Sequence, residues 1–225
     1  MQQKNIRVIG APVETGAGRR GCVMGPSALR CAGLIEMPGE LGYNAEDAGN
    51  TKPAEIGTLE DPFGVKNLTE TVAWTVALEQ ASYRALNEDA FPIFAGGDHS
   101  VSMGSVAGAT RYAAEQGKPF YMLWLDAHPD FHRLNTTSSG NLHGSPVAYV
   151  TGQESFSGNF PDLSAPVQLE NICMMGIRSV DPAEHHFLVK QGVEVNDMRR
   201  LDETGVAKPL RAFLNRVQEN DGFGV

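Results

Sequence analysis

Apolar residues recur along this chain in two alternating rhythms: short unbroken runs, and longer stretches with three-to-four spacing. The runs at 6–13, 91–95, 120–125, 172–177 and 193–195 predict strands, and 41–47 predicts a shorter one. The run at 120–125, FYMLWL, is six consecutive apolar residues and gives the strongest buried-strand signal. Between these lie helical patterns. Leu68, Val72, Thr75, Val76, Glu79 and Tyr83 share one face of a helix over 68–86 that neither Pro nor Gly interrupts. A looser helix is predicted over 100–116, weakened by Gly104 and Gly108. Pro26 suits the first turn of a helix, and further helices are predicted over 182–191 and 206–219. The stretches 16–25, 51–64 and 151–166 carry Gly, Pro or Ser at loop density, and none is long enough for a domain linker.

Strand and helix in alternation imply an α/β fold, with a parallel sheet covered on both faces by helices. Ligands of such folds bind at the carboxyl ends of the strands. The informative polar clusters should therefore follow directly after the apolar runs, and they do.

Composition narrows the functional classes. A length of 225 residues, 41% of them hydrophobic, suits a single domain with a substantial core. The formal charge of −9 opposes general nucleic-acid binding, which needs a basic surface. It leaves carboxylates to gather around a metal or a cationic substrate. Cys22, Cys31 and Cys173 are an odd, widely spaced set without CxxC, which favours a reducing compartment. The start has no apolar signal region, and no apolar run approaches the roughly 20 residues of a membrane helix. The expectation is a soluble cytoplasmic protein with neither nucleic-acid nor membrane partners.

Four segments carry candidate chemistry. GGDHS at 96–100 places His99 just beyond the 91–95 run. DAHPD at 126–130 places Asp126, His128 and Asp130 just beyond the 120–125 run. Two carboxylates and an imidazole at a buried strand end are costly unless something neutralises them. Mixed oxygen and nitrogen donors suit Mn²⁺, Zn²⁺ or Fe²⁺ better than Ca²⁺. The segment TTSSGNLHG at 136–144 supplies hydroxyls, an amide and His143, a mixture suited to a small polar ligand and to proton transfer. Read alone it is equally an ordinary polar loop. Asp181, Pro182 and Glu184 follow the 172–177 run, and their spacing also fits a plain capping box. Four of the six histidines, His99, His128, His132 and His143, fall within 45 residues.

Taken together, GGDHS, WLDAHPDFH, SSGNLHGSPVAY and GIRSVDPAE resemble the ureohydrolases, and within them the arginase family. GAPVETGAGRRGCVMGPSALR and LGYNAEDAGN extend the resemblance over essentially the whole chain. The resemblance implies a three-layer α/β/α fold with a mostly parallel sheet. It also implies a Mn²⁺ pair that activates water to hydrolyse L-arginine to L-ornithine and urea. The metal ligands would be His99, Asp126, His128 and Asp130, with Asp126 bridging. His143 would shuttle protons. Thr137, Ser139 and Asn141 would hold the substrate α-carboxylate, and Asp181 and Glu184 its α-amino group. A cytoplasmic homo-oligomer, trimer or hexamer, acting in arginine metabolism and the urea cycle, is implied as well.

The chain departs from the family pattern in two places. His132 stands where many arginases have an Asn that touches the α-carboxylate. The later S-x-D-x-D-x-x-D-P metal segment has no counterpart after residue 181. The expectation is a single ureohydrolase domain over 1–225 that ends before the family's last strands, with activity impaired accordingly. The competing readings are agmatinase or formimidoylglutamase, and a non-catalytic, metal-binding ureohydrolase-like fragment.

Overall fold

A computed structural model of the protein describes residues 5–224, apart from the side chain of Ala183. Residues 1–4 and 225, which flank the first predicted strand and the last segment, lie outside the described residues. The order is β1 (Asn5–Ala11), α1 (Gly25–Cys31), α2 (Met37–Glu40), β2 (Ala45–Asn50), α3 (Leu68–Asn87), β3 (Ala90–Gly96) and α4 (Val101–Glu115). There follow β4 (Met122–Leu125), α5 (Pro146–Val150), β5 (Ile172–Ile177), α6 (Pro182–Gln191), β6 (Glu194–Asp197), α7 (Met198–Thr204) and α8 (Ala207–Glu219).

The strands form two parallel three-stranded sheets, ordered β2-β1-β3 and β4-β5-β6, where the sequence pattern suggests one continuous sheet. Hydrophobic alternation reports which face a strand buries but not its neighbour, so this division is invisible to periodicity. β5 is buried on both sides. Ile172 and Met174 join the main core with Trp124, Met103, Tyr149 and Phe156. Cys173 and Met175 face the opposite layer with Tyr121, Leu201 and Phe213. A bulge between Met175 and Ile177 returns Ile177 to the main core side.

Helices α3 and α4 pack along Gly104 and Gly108. A Cβ at Gly104 would lie 2.3 Å from the Thr75 carbonyl oxygen, and one at Gly108 2.3 Å from that of Glu79. The glycines that weaken α4 by propensity are thus what lets the two backbones touch.

Three elements differ from the sequence reading. The strand expected at 41–47 forms later, as β2, because Gly42 (φ 86°) breaks the chain after α2 and leaves Leu41 and Tyr43 exposed. β2 is an edge strand, AEDAGN, held by backbone pairing to β1 and by the ion pairs Arg7–Glu46 and Arg30–Asp47. The expected helix at 206–219 is α8, preceded by a separate α7, whose N-cap Asp197 accepts from the Arg200 N–H at 2.8 Å. At the start of the apolar run 120–125, only 122–125 joins the sheet, while Phe120 bridges in parallel to Phe223.

Candidate active site

The site is built where β3, β4 and β5 end. The turn after β4 is clamped to β5: Asp126 N–H donates to Met175 O (3.1 Å), and the Arg178 and Ser179 N–H groups donate to Ala127 O (2.9 and 3.0 Å). His99, just beyond β3, stacks on the Trp124 ring of β4 at 4.5 Å between centroids. The stack turns the His99 Nδ1 toward both carboxylates, 3.0 Å from Asp126 Oδ2 and 2.7 Å from Asp130 Oδ2. Asp130 reaches that position from a left-handed backbone (φ 47°), a conformation costing about 1 kcal/mol that Asp tolerates better than most residues. Burial opposes a charge on His99. The hydrogen bond to Asp130 and the fields of Asp130, Asp126 and Asp98 outweigh it and raise the imidazole above its usual range.

Ligand atoms of His99, Asp126 and Asp130 all lie within 4.8 Å of one another, close enough to share one ion. His128 stands beside them but more exposed, its Nδ1 3.6 Å from Asp126 Oδ1. The two oxygens of Asp126 therefore face two different imidazoles. The carboxylates alone would suit Ca²⁺ as well, but imidazole nitrogen in the same donor set fits a divalent transition-series cation better.

Asp130 and His128 also line a cavity of 240 Å³ with His132, Thr137, Ser139, Asn141, His143, Ser179, Asp181 and Glu184. All of the substrate-side candidates from the sequence thus converge on one space. A larger cavity of 710 Å³ lies between α6, β6 and α7 and contains none of them.

His143 sits in a short 3-10 turn, Leu142–Gly144. Its Nδ1 is 3.0 Å from Gly16 O. A carbonyl oxygen only accepts, so Nδ1 carries the hydrogen and the neutral ring keeps its Nε2 lone pair. The GAGRR segment at 16–20, which by sequence could equally be an anion loop or a flexible surface loop, thereby orients the imidazole through Gly16.

Asp181 and Glu184 form the capping box of α6. Glu184 Oε2 accepts the Asp181 N–H at 3.2 Å, and Oε1 accepts the Phe131 N–H at 2.9 Å. Burial holds the Glu184 carboxyl above its ordinary range, although these two donors and His132 act the other way. Glu184 is thus largely occupied, which leaves Asp181 the more available of the pair. His132, expected from its position on the carboxylate side of a ligand, is engaged elsewhere. Its Nε2 lies 3.1 Å from Asp181 Oδ2 and 3.4 Å from Glu184 Oε2. Its Nδ1 is buried without a hydrogen-bond partner among the described residues.

Sequence reasoning missed two contributors. Asp98 is buried and accepts the Ala17 N–H (2.8 Å) and the Ser100 N–H (3.0 Å), tying the 14–18 loop to the end of β3. Its position inside GGDHS was the available signal. Lys66 donates to Asn141 Oδ1 at 3.1 Å, across 75 residues, and no local pattern announces that contact.

Comparison with known proteins agrees with this geometry. The Arginase family model matches residues 4–225. An arginase of Brucella melitensis is 52% identical over 220 residues, covering 97% of this chain and 72% of that protein. An arginase of Agrobacterium fabrum is 50% identical, covering 97% of this chain and 68% of its own length. A crystal structure of arginase from Bacillus subtilis superposes with a TM-score of 0.84 at 36% identity, over 97% of this chain and 73% of that one. A match that spans both sheets, and with them every strand end feeding the cavity, means that this chain belongs to the arginase family.

Proposed function

We propose that this protein hydrolyses L-arginine to L-ornithine and urea, using two Mn²⁺ ions held by His99, Asp126, His128 and Asp130. The observation that carries the reading is Asp126, whose Oδ2 lies 3.0 Å from His99 Nδ1 and whose Oδ1, accepting the His128 main-chain N–H at 2.9 Å, lies 3.6 Å from His128 Nδ1, so that one carboxylate stands between two imidazoles that would hold metal. When bound, such a pair lowers the pKa of water enough to supply a nucleophile near neutral pH.

The chain's own residues then have separable tasks. Asp130, fixed by its left-handed backbone, completes the ligand set with His99. His143, with Nδ1 tied to Gly16 O, takes up and returns a proton at Nε2. Thr137, Ser139 and Asn141 offer donors to an α-carboxylate on one side of the cavity. Asp181 accepts from an α-ammonium on the other side, with Glu184 and His132 holding it in place. Recognising both head groups at once favours an amino acid over a simple guanidinoalkane, because an unpaired polar group in a desolvated pocket is costly. A cytoplasmic homo-oligomer, trimer or hexamer, completes the reading and rests on the family resemblance.

Amine-product release after Mn²⁺ loading tests this, with L-arginine (ornithine and urea), agmatine (1,4-diaminobutane and urea) and formimidoylglutamate (glutamate and formamide) as parallel substrates. L-Arginine should be used best. Equal or better turnover of agmatine would replace this reading with an agmatinase, formamide and glutamate from formimidoylglutamate would replace it with a formimidoylglutamase, and product from none of the three would leave a metal-binding ureohydrolase fold without turnover.

A further inference from the structure

We infer that Lys66 is a positioning residue that makes Asn141 a one-way reader of anionic groups. The inference rests on the proposed use of the cavity for an amino-acid ligand. An asparagine amide offers both an acceptor and two donors, so on its own it does not distinguish a carboxylate from an ammonium. Here the Asn141 Oδ1 accepts from Lys66 Nζ at 3.1 Å. With its acceptor engaged, the amide has only its Nδ2 donors left for a ligand in the cavity that Asn141 lines together with Thr137 and Ser139. The lysine also fixes which way round the amide lies, since a flipped Asn141 would set Nδ2 against an ammonium.

The backbone holds Lys66 in place for this. Its N–H donates to Gly140 O at 2.8 Å, so main chain and side chain grip adjacent residues of one loop. Gly140 has φ 68°, and a Cβ there would lie 3.2 Å from Gly64 O, so the two loops meet backbone to backbone. On one side of Lys66, Val65 is buried in the main core, and on the other Asn67 donates from Nδ2 to Thr15 O at 2.9 Å. Lys66 thus projects from an anchored segment, although its own side chain is at the surface.

The test is calorimetric binding of L-ornithine and of 1,4-diaminobutane, which lacks the carboxylate, to the Mn²⁺-loaded chain. The wild type should prefer L-ornithine. Lys66→Met should weaken L-ornithine about tenfold and leave 1,4-diaminobutane unchanged. Lys66→Arg should retain most of the preference. In an Asn141→Ala background, Lys66→Met should change L-ornithine affinity by less than about twofold, because a residue acting through Asn141 has nothing left to orient. Unchanged L-ornithine affinity in Lys66→Met, equal weakening of both ligands, or an undiminished effect in the Asn141→Ala background would each overturn the role of Lys66. A wild type with no preference for L-ornithine would instead sink the amino-acid reading of the cavity, and the inference with it.

Discussion

Substituting Gly104 by Ala sets two sizeable effects against each other. Helix propensity favours Ala in a helix interior by about 1 kcal/mol. Packing opposes it. The added methyl would lie 2.3 Å from Thr75 O, 2.7 Å from Leu78 Cβ and 2.9 Å from Glu79 N. These are roughly 1 Å short of ordinary contact, and two of the three are backbone atoms that cannot swing away. Relief requires α4 to move off α3 along a seam where Gly108 makes the same approach one turn later, and where Leu78, Met103 and Ala107 are buried. Overpacking of this kind costs about 1–3 kcal/mol, and contact with backbone puts Gly104 at the upper end. Net destabilisation of about 2 kcal/mol follows, or roughly 4–8 °C in Tm for a chain of this size. Urea denaturation should show a lower midpoint with an unchanged slope. Gly39→Ala in α2, where a Cβ meets nothing within 4 Å, is the matched control and should be neutral or stabilising. A Gly104→Ala protein as stable as the wild type would refute the view that the seam is too tight for a methyl group.

Three further outcomes are expected. Asp126→Ala should reduce Mn²⁺ binding, followed by calorimetry, more than His128→Ala does, because its two oxygens face both imidazoles; full occupancy without Asp126 would remove it from the ligand set. His143→Ala should leave metal affinity intact and slow turnover by about 10²-fold, whereas loss of metal would make His143 a ligand. In the native protein at pH 8, a disulfide reagent should label Cys22 and Cys31 but spare Cys173, whose thiol is fully buried and pushed up to about 12 chiefly by desolvation; rapid labelling of all three would contradict that burial.

What the sequence revealed depended on how local each cause was. β5 and α6 are bounded in the structure as their patterns imply, because continuous burial specifies the one, and Asp181, Pro182 and Gly192 punctuate the other. β2 was misplaced because an edge strand paired through its backbone needs few apolar side chains. α7 went without an expectation although Asp197 marks its start and Gly205 its end, because seven residues between two stronger patterns show too little periodicity. The clustering of His99, Asp126, His128 and Asp130 was legible because these residues follow directly on apolar strand runs. His132 turning to Asp181, Lys66 reaching Asn141 and Gly16 orienting His143 were not, because each joins residues at least 49 positions apart.

That separation has a kinetic consequence. The contact from His143 to Gly16 closes a loop of 127 residues. Among the described residues every strand pair is parallel, so none of these pairs is a hairpin that could nucleate a sheet locally. Chain-closure entropy must be met before any of these pairs forms, and such topologies fold slowly. Helical signal should therefore recover early in refolding, while metal or ligand affinity returns only with the final phase. Trp124, stacked on His99, is an intrinsic fluorophore placed to report that last event, and a Trp74→Phe background removes the signal of the other tryptophan, in α3.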